Sequence, residues 1–193
     1  MMLLDQIQSK YQFQQVRSSY IRASPAEVYR TIWDYPINES ILFKVLMGLR
    51  NLPARLLGRG RYLPDGELTV LGWLTKTHFT LLTEKENEEI VFGLVGQFWK
   101  PLYGQILKIP EVDKFREFEE PGYVKTAANF YIEPNRTGVR LSIEVRIFAT
   151  DKKAQRGFSL YWKLIEPLGG WLRADMINRI KNRAERDIEK LRR

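Results

Sequence analysis

The chain has 193 residues, 44% of them hydrophobic and 12% aromatic, which is enough for one domain with a sizeable core and excludes a disordered or fibrous protein. It contains no cysteine and one histidine, which excludes disulfides and thiolate nucleophiles and disfavours a zinc site. The net charge is +8, and residues 151–193 alone hold 12 Lys/Arg against 6 Asp/Glu.

A basic C-terminal segment is typical of proteins that bind a polyanion such as nucleic acid or anionic lipid. Its charges are mixed, however, and pairs such as Asp175/Arg179 and Glu189/Arg193 have the i,i+4 spacing of a solvated helix face. We therefore expect no nucleic-acid partner. The N-terminus has no basic region followed by a long apolar run, so we expect a cytoplasmic protein with a single domain over residues 1–193.

In chain order, residues 11–22 are rich in aromatic and β-branched types and predict a strand. Ser24, Pro25 and Glu27 then form a capping box with proline at the first helical position, which predicts a helix start. A second amphipathic helix is predicted over about Glu39 to Leu49.

The pattern changes to strands after residue 77. Two apolar runs, 79–83 and 90–95, flank a polar stretch and predict a hairpin that pairs Glu84 with Glu89. Lys114 to Phe118 predicts a further short strand.

Residues 124–133 and 139–148 alternate between apolar and polar types, which is the clearest sheet signal in the chain. A hairpin pairing Glu133 with Gly138 places both apolar sets on one face and both polar sets on the other. We therefore expect a sheet that is covered on one face and exposed to water on the other.

Apolar residues at helical spacing from Phe158 to Leu191 predict a long C-terminal helix capped at Thr150-Asp151. Pro167 and the pair Gly169-Gly170 predict a kink or an interruption in it.

The order of these elements resembles the START-like (SRPBCC) superfamily, which includes birch-allergen-like proteins and polyketide cyclases/dehydrases. Residues 23–34 resemble the superfamily's opening strand and capped helix, and residues 144–151 with Phe158 and Tyr161-Trp162 are similar to an uncharacterised bacterial branch. The resemblance implies an α+β helix-grip fold: a curved antiparallel sheet wrapped around the long C-terminal helix, with two short helices after the first strand. It also implies a cavity between sheet and helix, without naming a ligand.

We expect this cavity to bind a small apolar or amphipathic molecule such as a lipid, isoprenoid or polycyclic compound. Two alternatives remain open: a polyketide cyclase/dehydratase-like enzyme, and a basic module that docks on a membrane surface. The expected wall residues come from the apolar sheet face and the inner side of the helix: Phe79, Leu81, Phe92, Leu94, Phe130, Ile143, Val145, Tyr161, Ile165 and Leu168.

Polar residues offer no catalytic constellation, cofactor motif or metal site in the sequence. Hairpin pairing places His78 opposite the apolar face, without an orienting partner. Alternation puts Asn129, Glu144 and Arg146 together on the polar face, where we expect a solvent-exposed ladder. The alternative is a β-bulge that turns one of them inward to orient the polar end of a ligand.

Overall fold

The computed structural model describes residues 1–36, 69, 79–100 and 104–191, with side chains up to 187. Its helices are α1 (Leu3–Ile7), α2 (Pro25–Asp34), α3 (Val112–Glu117) and α4 (Lys152–Leu191). Its strands are β1 (Phe13–Ile21), β2 (Thr80–Lys85), β3 (Glu89–Gly96), β4 (Ile106–Leu107), β5 (Val124–Asn135) and β6 (Gly138–Ala149).

The strands form one antiparallel sheet in the order β1-β6-β5-β3-β2, with β4 also paired to β3. The predicted α+β class, with a curved antiparallel sheet and a long C-terminal helix, is confirmed. The predicted second short helix (Glu39 to Leu49) and His78 lie outside the described residues.

Two helix starts form as the sequence predicts, since a local side chain satisfies the free backbone N–H groups. Ser24 Oγ accepts from the N–H of Glu27, and the Glu27 carboxylate accepts from the N–H of Ser24. At α4, Asp151 Oδ1 accepts from the N–H groups of Lys153 and Ala154 at 2.7 and 2.8 Å.

Both predicted hairpins form, with shifted pairing near their turns. Glu133 pairs with Arg140 rather than Gly138, because the turn is tighter and β5 extends to Asn135. The shift is two residues, so every side chain keeps its predicted face. In the other hairpin Glu84 pairs with Ile90, and an irregularity between Leu81 and Thr83 restores the predicted register further along.

The inner face, meaning the face against α4, carries the apolar set of β5 and β6 as predicted. One fully buried cluster joins Phe130 and Ile143 to α2 and to Ile177 and Ile180 of α4. Another cluster is centred on Phe158 near the start of α4. Burying these side chains contributes about 25 cal/mol per Å² of apolar area and holds the helix on the sheet.

The outer face, meaning the opposite side of the sheet, is not left to water, and the expectation of a one-sided sheet is wrong. Helices α1 and α3 pack there and bury Leu4, Ile7 and Phe115 against β3 and β5. The strand predicted for Lys114 to Phe118 is also wrong, because this segment forms most of α3 and places Phe115 in that cluster.

Helix α4 runs through Pro167 and the glycine pair as one element, so the predicted interruption is wrong. Its flank rests on β1, where Lys181 Nζ donates to the carbonyl of Tyr20 at 2.8 Å. Burial of Phe158 before Pro167, and of Ile177 and Ile180 after it, offsets the local cost of a proline within the helix. Across the described residues, no helix combines the length and apolarity needed to cross a bilayer.

Candidate functional site

The polar trio predicted on the sheet, Asn129, Glu144 and Arg146, is brought together but lies on the outer face beneath α1. All three residues are buried, at 0%, 6% and 6% exposure. The expected solvent ladder is therefore wrong, because α1 covers it. The alternative of a bulge turning inward is wrong as well, since β5 and β6 pair without a register shift.

Each charge in this outer-face network has a partner. Arg146 Nε donates to Glu144 Oε1 at 2.5 Å, Nη2 to Asp5 Oδ1 at 2.8 Å, and Nη1 to the Gln8 carbonyl at 3.2 Å. Burial lowers the pKa of Arg146, but Glu144 and Asp5 outweigh it and leave the pKa raised above its ordinary value. The charged groups of the network are paired without a ligand, and Gln8 Oε1 beside them is buried without a hydrogen-bond partner among the described residues.

Glu89 extends the same network to the N-terminal helix. Its carboxylate accepts from Asn129 Nδ2 at 2.6 Å and from the N–H groups of Leu3 and Leu4 at 2.6 and 3.1 Å. Asn129 Oδ1 in turn accepts from the N–H of Glu144. A buried carboxylate with three donors is stabilised by charge-assisted hydrogen bonds, so Glu89 fastens α1 to the sheet.

The inner face is most open halfway along its strands. The paired residues Phe130 and Ile143 are buried on one side, and the paired Thr126 and Ile147 on the other. In the part of the sheet from Leu81 to Val145, four apolar residues next to the buried Phe92 are only half-buried, and we call them the middle band: Leu81, Leu94, Ala128 and Val145.

One flank of α4 is half-buried in the same way. At about 100° per residue, positions 161, 165, 168 and 172 share one flank of the helix. Glu166 and Gly170, on the other flank, lie against β1. The half-buried flank therefore faces the strands beyond β1, and Tyr161 contacts Phe98 just after β3 with ring centroids 6.3 Å apart. Outward positions such as Leu164 are 75% exposed.

The ten predicted wall residues fall into three groups. Phe92, Phe130 and Ile143 are close-packed core, and Phe79 and Leu81 pack against the same cluster. Val145 and Tyr161 pack against the Phe158 cluster. Leu94, Ile165 and Leu168 are half-buried.

A polar seam, which sequence reasoning missed, crosses the inner face where α4 meets β1. It consists of Gln15, Arg17, Glu166 and Arg173. Gln15 Nε2 donates to the Glu166 carbonyl at 3.1 Å and also to its carboxylate. A Cβ at Gly170 would lie 2.9 Å from both Arg17 Nη2 and Gln15 Nε2, so this glycine makes room for the seam. The overlooked signal was an arginine at position 173, at helical spacing from the buried Ile177 and Ile180.

Arg173 is the incompletely paired charge of the seam. Its Nε and Nη2 atoms are buried and have no hydrogen-bond partner among the described residues. Burial, and secondarily the like charge of Arg17, lowers the pKa of Arg173 to about 10, so it remains protonated at neutral pH. Gln15 Oε1 and Thr126 Oγ1, also on the inner face, are likewise buried and have no hydrogen-bond partner among the described residues.

A separate polar depression of about 710 Å³ lies near the C-terminal half of α4, beside Tyr35. Three arginines and two aspartates contribute to its wall, and Arg179 pairs with Asp175 at 3.0 Å. Its positive charge is therefore partly neutralised, which does not favour it as an anion-docking surface.

Comparison with known proteins gives little further information. No protein-family model and no curated protein matches the chain. The solved structure of protein MLL2253 from Mesorhizobium loti is similar over 84% of this chain and 98% of that one, at 13% identity and a TM-score of 0.34. A TM-score this low establishes neither a shared fold nor a shared function.

Proposed function

We propose that the protein binds a small apolar or amphipathic molecule between the middle band and the half-buried flank of α4. The observation that carries this is the contrast in burial along the inner face. Rows on either side of the band are close-packed, whereas the band and the facing flank retain accessible apolar surface. The sheet and long helix are compatible with a helix-grip fold, and membership of the START-like superfamily is part of the proposal.

The energetics of such a site favour an apolar ligand. Leu81, Leu94, Val145 and Leu168 offer aliphatic surface without charge, and each Å² removed from water contributes about 25 cal/mol. Affinity from apolar burial is insensitive to salt, because screening acts on charges. The buried polar atoms of the neighbouring seam would orient a polar end of the ligand.

Titration with a neutral hydrophobic dye such as Nile red tests the proposal. We expect one saturable site in the wild type and a loss of affinity of tenfold or more in Leu168→Trp, because the indole fills the space beside the band. Leu164→Trp is the matched control, since it adds the same ring to the same helix where the side chain is exposed. Its affinity should equal that of the wild type.

The salt dependence of the dye affinity distinguishes the proposed apolar site from docking on a charged surface. Raising the salt concentration tenfold should change the dye affinity by less than about twofold. Binding that collapses in salt and survives Leu168→Trp would instead favour a basic membrane-docking surface. Absence of saturable binding would show that the proposal is wrong.

A further inference from the structure

Arg173 lies in the middle of the side of α4 that faces the sheet. Counting helical turns places it in line with Ile177 and Ile180, both buried against the sheet. A Cβ at Gly169 would lie 3.2 Å from Arg173 Nη2, so the guanidinium extends back over this glycine toward the middle of the helix. The cation is therefore directed along the inner side of α4, toward the level of the middle band.

Two donors of Arg173 lack acceptors. Arg17 adds a like charge but is exposed to solvent, and Glu166 is the one carboxylate among the described residues whose charge acts on Arg173. Gln15 already donates to that carboxylate, and no ion pair joins Glu166 to Arg173 among the described residues. Two buried N–H donors of a cation are therefore left without an acceptor, which costs free energy unless a ligand supplies one.

The unpartnered atoms also form a recognisable pattern. Nε and Nη2 lie on the same edge of the guanidinium plane, and their two N–H bonds run roughly parallel. This edge matches the two oxygens of a carboxylate and gives a bidentate, charge-assisted pair. A neutral alcohol or ketone would satisfy one of these donors and leave the other unpaired.

We propose that Arg173 binds the carboxylate of an apolar carboxylic acid, such as a fatty acid, whose hydrocarbon part lies along the middle band. The inference rests on the proposed function and adds the chemical class of the ligand. A carboxylate supplies two oxygens and one negative charge to this edge, beside the negative charge that Glu166 already contributes. A phosphate monoester, with close to two negative charges at neutral pH, would place more negative charge next to Glu166.

The test compares dodecanoic acid with methyl dodecanoate, which shares the chain but has no charge, by displacement of Nile red at pH 8. We expect the wild type to bind the acid about 10- to 100-fold more tightly than the ester. Arg173→Gln should abolish this preference and keep the ester affinity. The exposed Arg156 lies on the same helix, so Arg156→Gln is the matched control and should keep the preference.

The outcomes separate this inference from the proposed function. If neither compound binds the wild type, the proposed function is wrong. If both bind equally, the apolar site stands and the carboxylate inference is overturned. A preference that persists in Arg173→Gln would also overturn the role of Arg173.

A second variant keeps the test decisive if Arg173→Gln folds poorly. Arg173→Lys retains the charge but lacks the two-donor edge, so the preference for the acid should fall severalfold without disappearing. An unchanged preference in Arg173→Lys would contradict bidentate binding.

Discussion

Two arginines on opposite faces of the same sheet, Arg146 buried and Arg173 half-buried, have opposite surroundings. Arg146, on the outer face, donates to Glu144, Asp5 and the Gln8 carbonyl, and its pKa is raised. Arg173, on the inner face, has Nε and Nη2 without partners among the described residues, and its pKa is lowered to about 10. A fully paired buried charge belongs to the architecture of the protein, whereas the incompletely paired Arg173 is where we propose that a ligand binds.

The largest effect should come from breaking the charge-paired network around Arg146. Arg146→Met should lower the free energy of unfolding by about 3–5 kcal/mol, because Glu144 and Asp5 lose their cation and Glu144 stays buried. Urea denaturation measures this. The double variant Arg146→Met/Glu144→Leu should recover part of the loss, since no buried charge is then left unpaired. A loss below about 1 kcal/mol in the single variant would contradict the role of Arg146 in holding α1 to the sheet.

The next largest loss of stability should distinguish the close-packed part of the inner face from the open part. Ile143→Ala should cost about 2–5 kcal/mol, because the side chain is fully buried in the core. Val145→Ala, in the half-buried middle band, should cost less, under about 1.5 kcal/mol. The exposed Arg140→Ala is the control and should change stability by less than about 0.5 kcal/mol. Equal losses at Ile143 and Val145 in chemical denaturation would show that the band is packed throughout.

Apart from the Arg140 control, the smallest effect should be at Arg173 in the ligand-free protein. Arg173→Gln should shift the free energy of unfolding by less than about 1 kcal/mol, in either direction, because removing an unpaired cation relieves a desolvation cost while some packing is lost. Urea denaturation beside Arg146→Met provides the comparison. A loss as large as that of Arg146→Met would mean that Arg173 is paired within the folded chain and that no ligand is needed.

The missed parts of the site share a physical cause. Asp5 and Arg146 are 141 residues apart in the chain, and no local pattern links them. The outer face was misjudged because α1 has five residues, too few for a periodic signal. The predicted register of the β5–β6 hairpin differs from the observed one by two residues. The assignment of side chains to faces is unaffected, because a two-residue shift keeps each side chain on its face.

The sequence by itself determined the antiparallel strands, the apolar inner face, the capped start of α2 and the long C-terminal helix. These features follow from periodicity and from capping within a few residues, which act locally. Tertiary structure alone decided that Glu144 and Arg146 are buried, that α4 continues through Pro167, and that Arg173 meets Arg17 without a pairing carboxylate. Each of these depends on which distant segment covers a surface, because burial sets the free-energy cost of a charge and pairing offsets it.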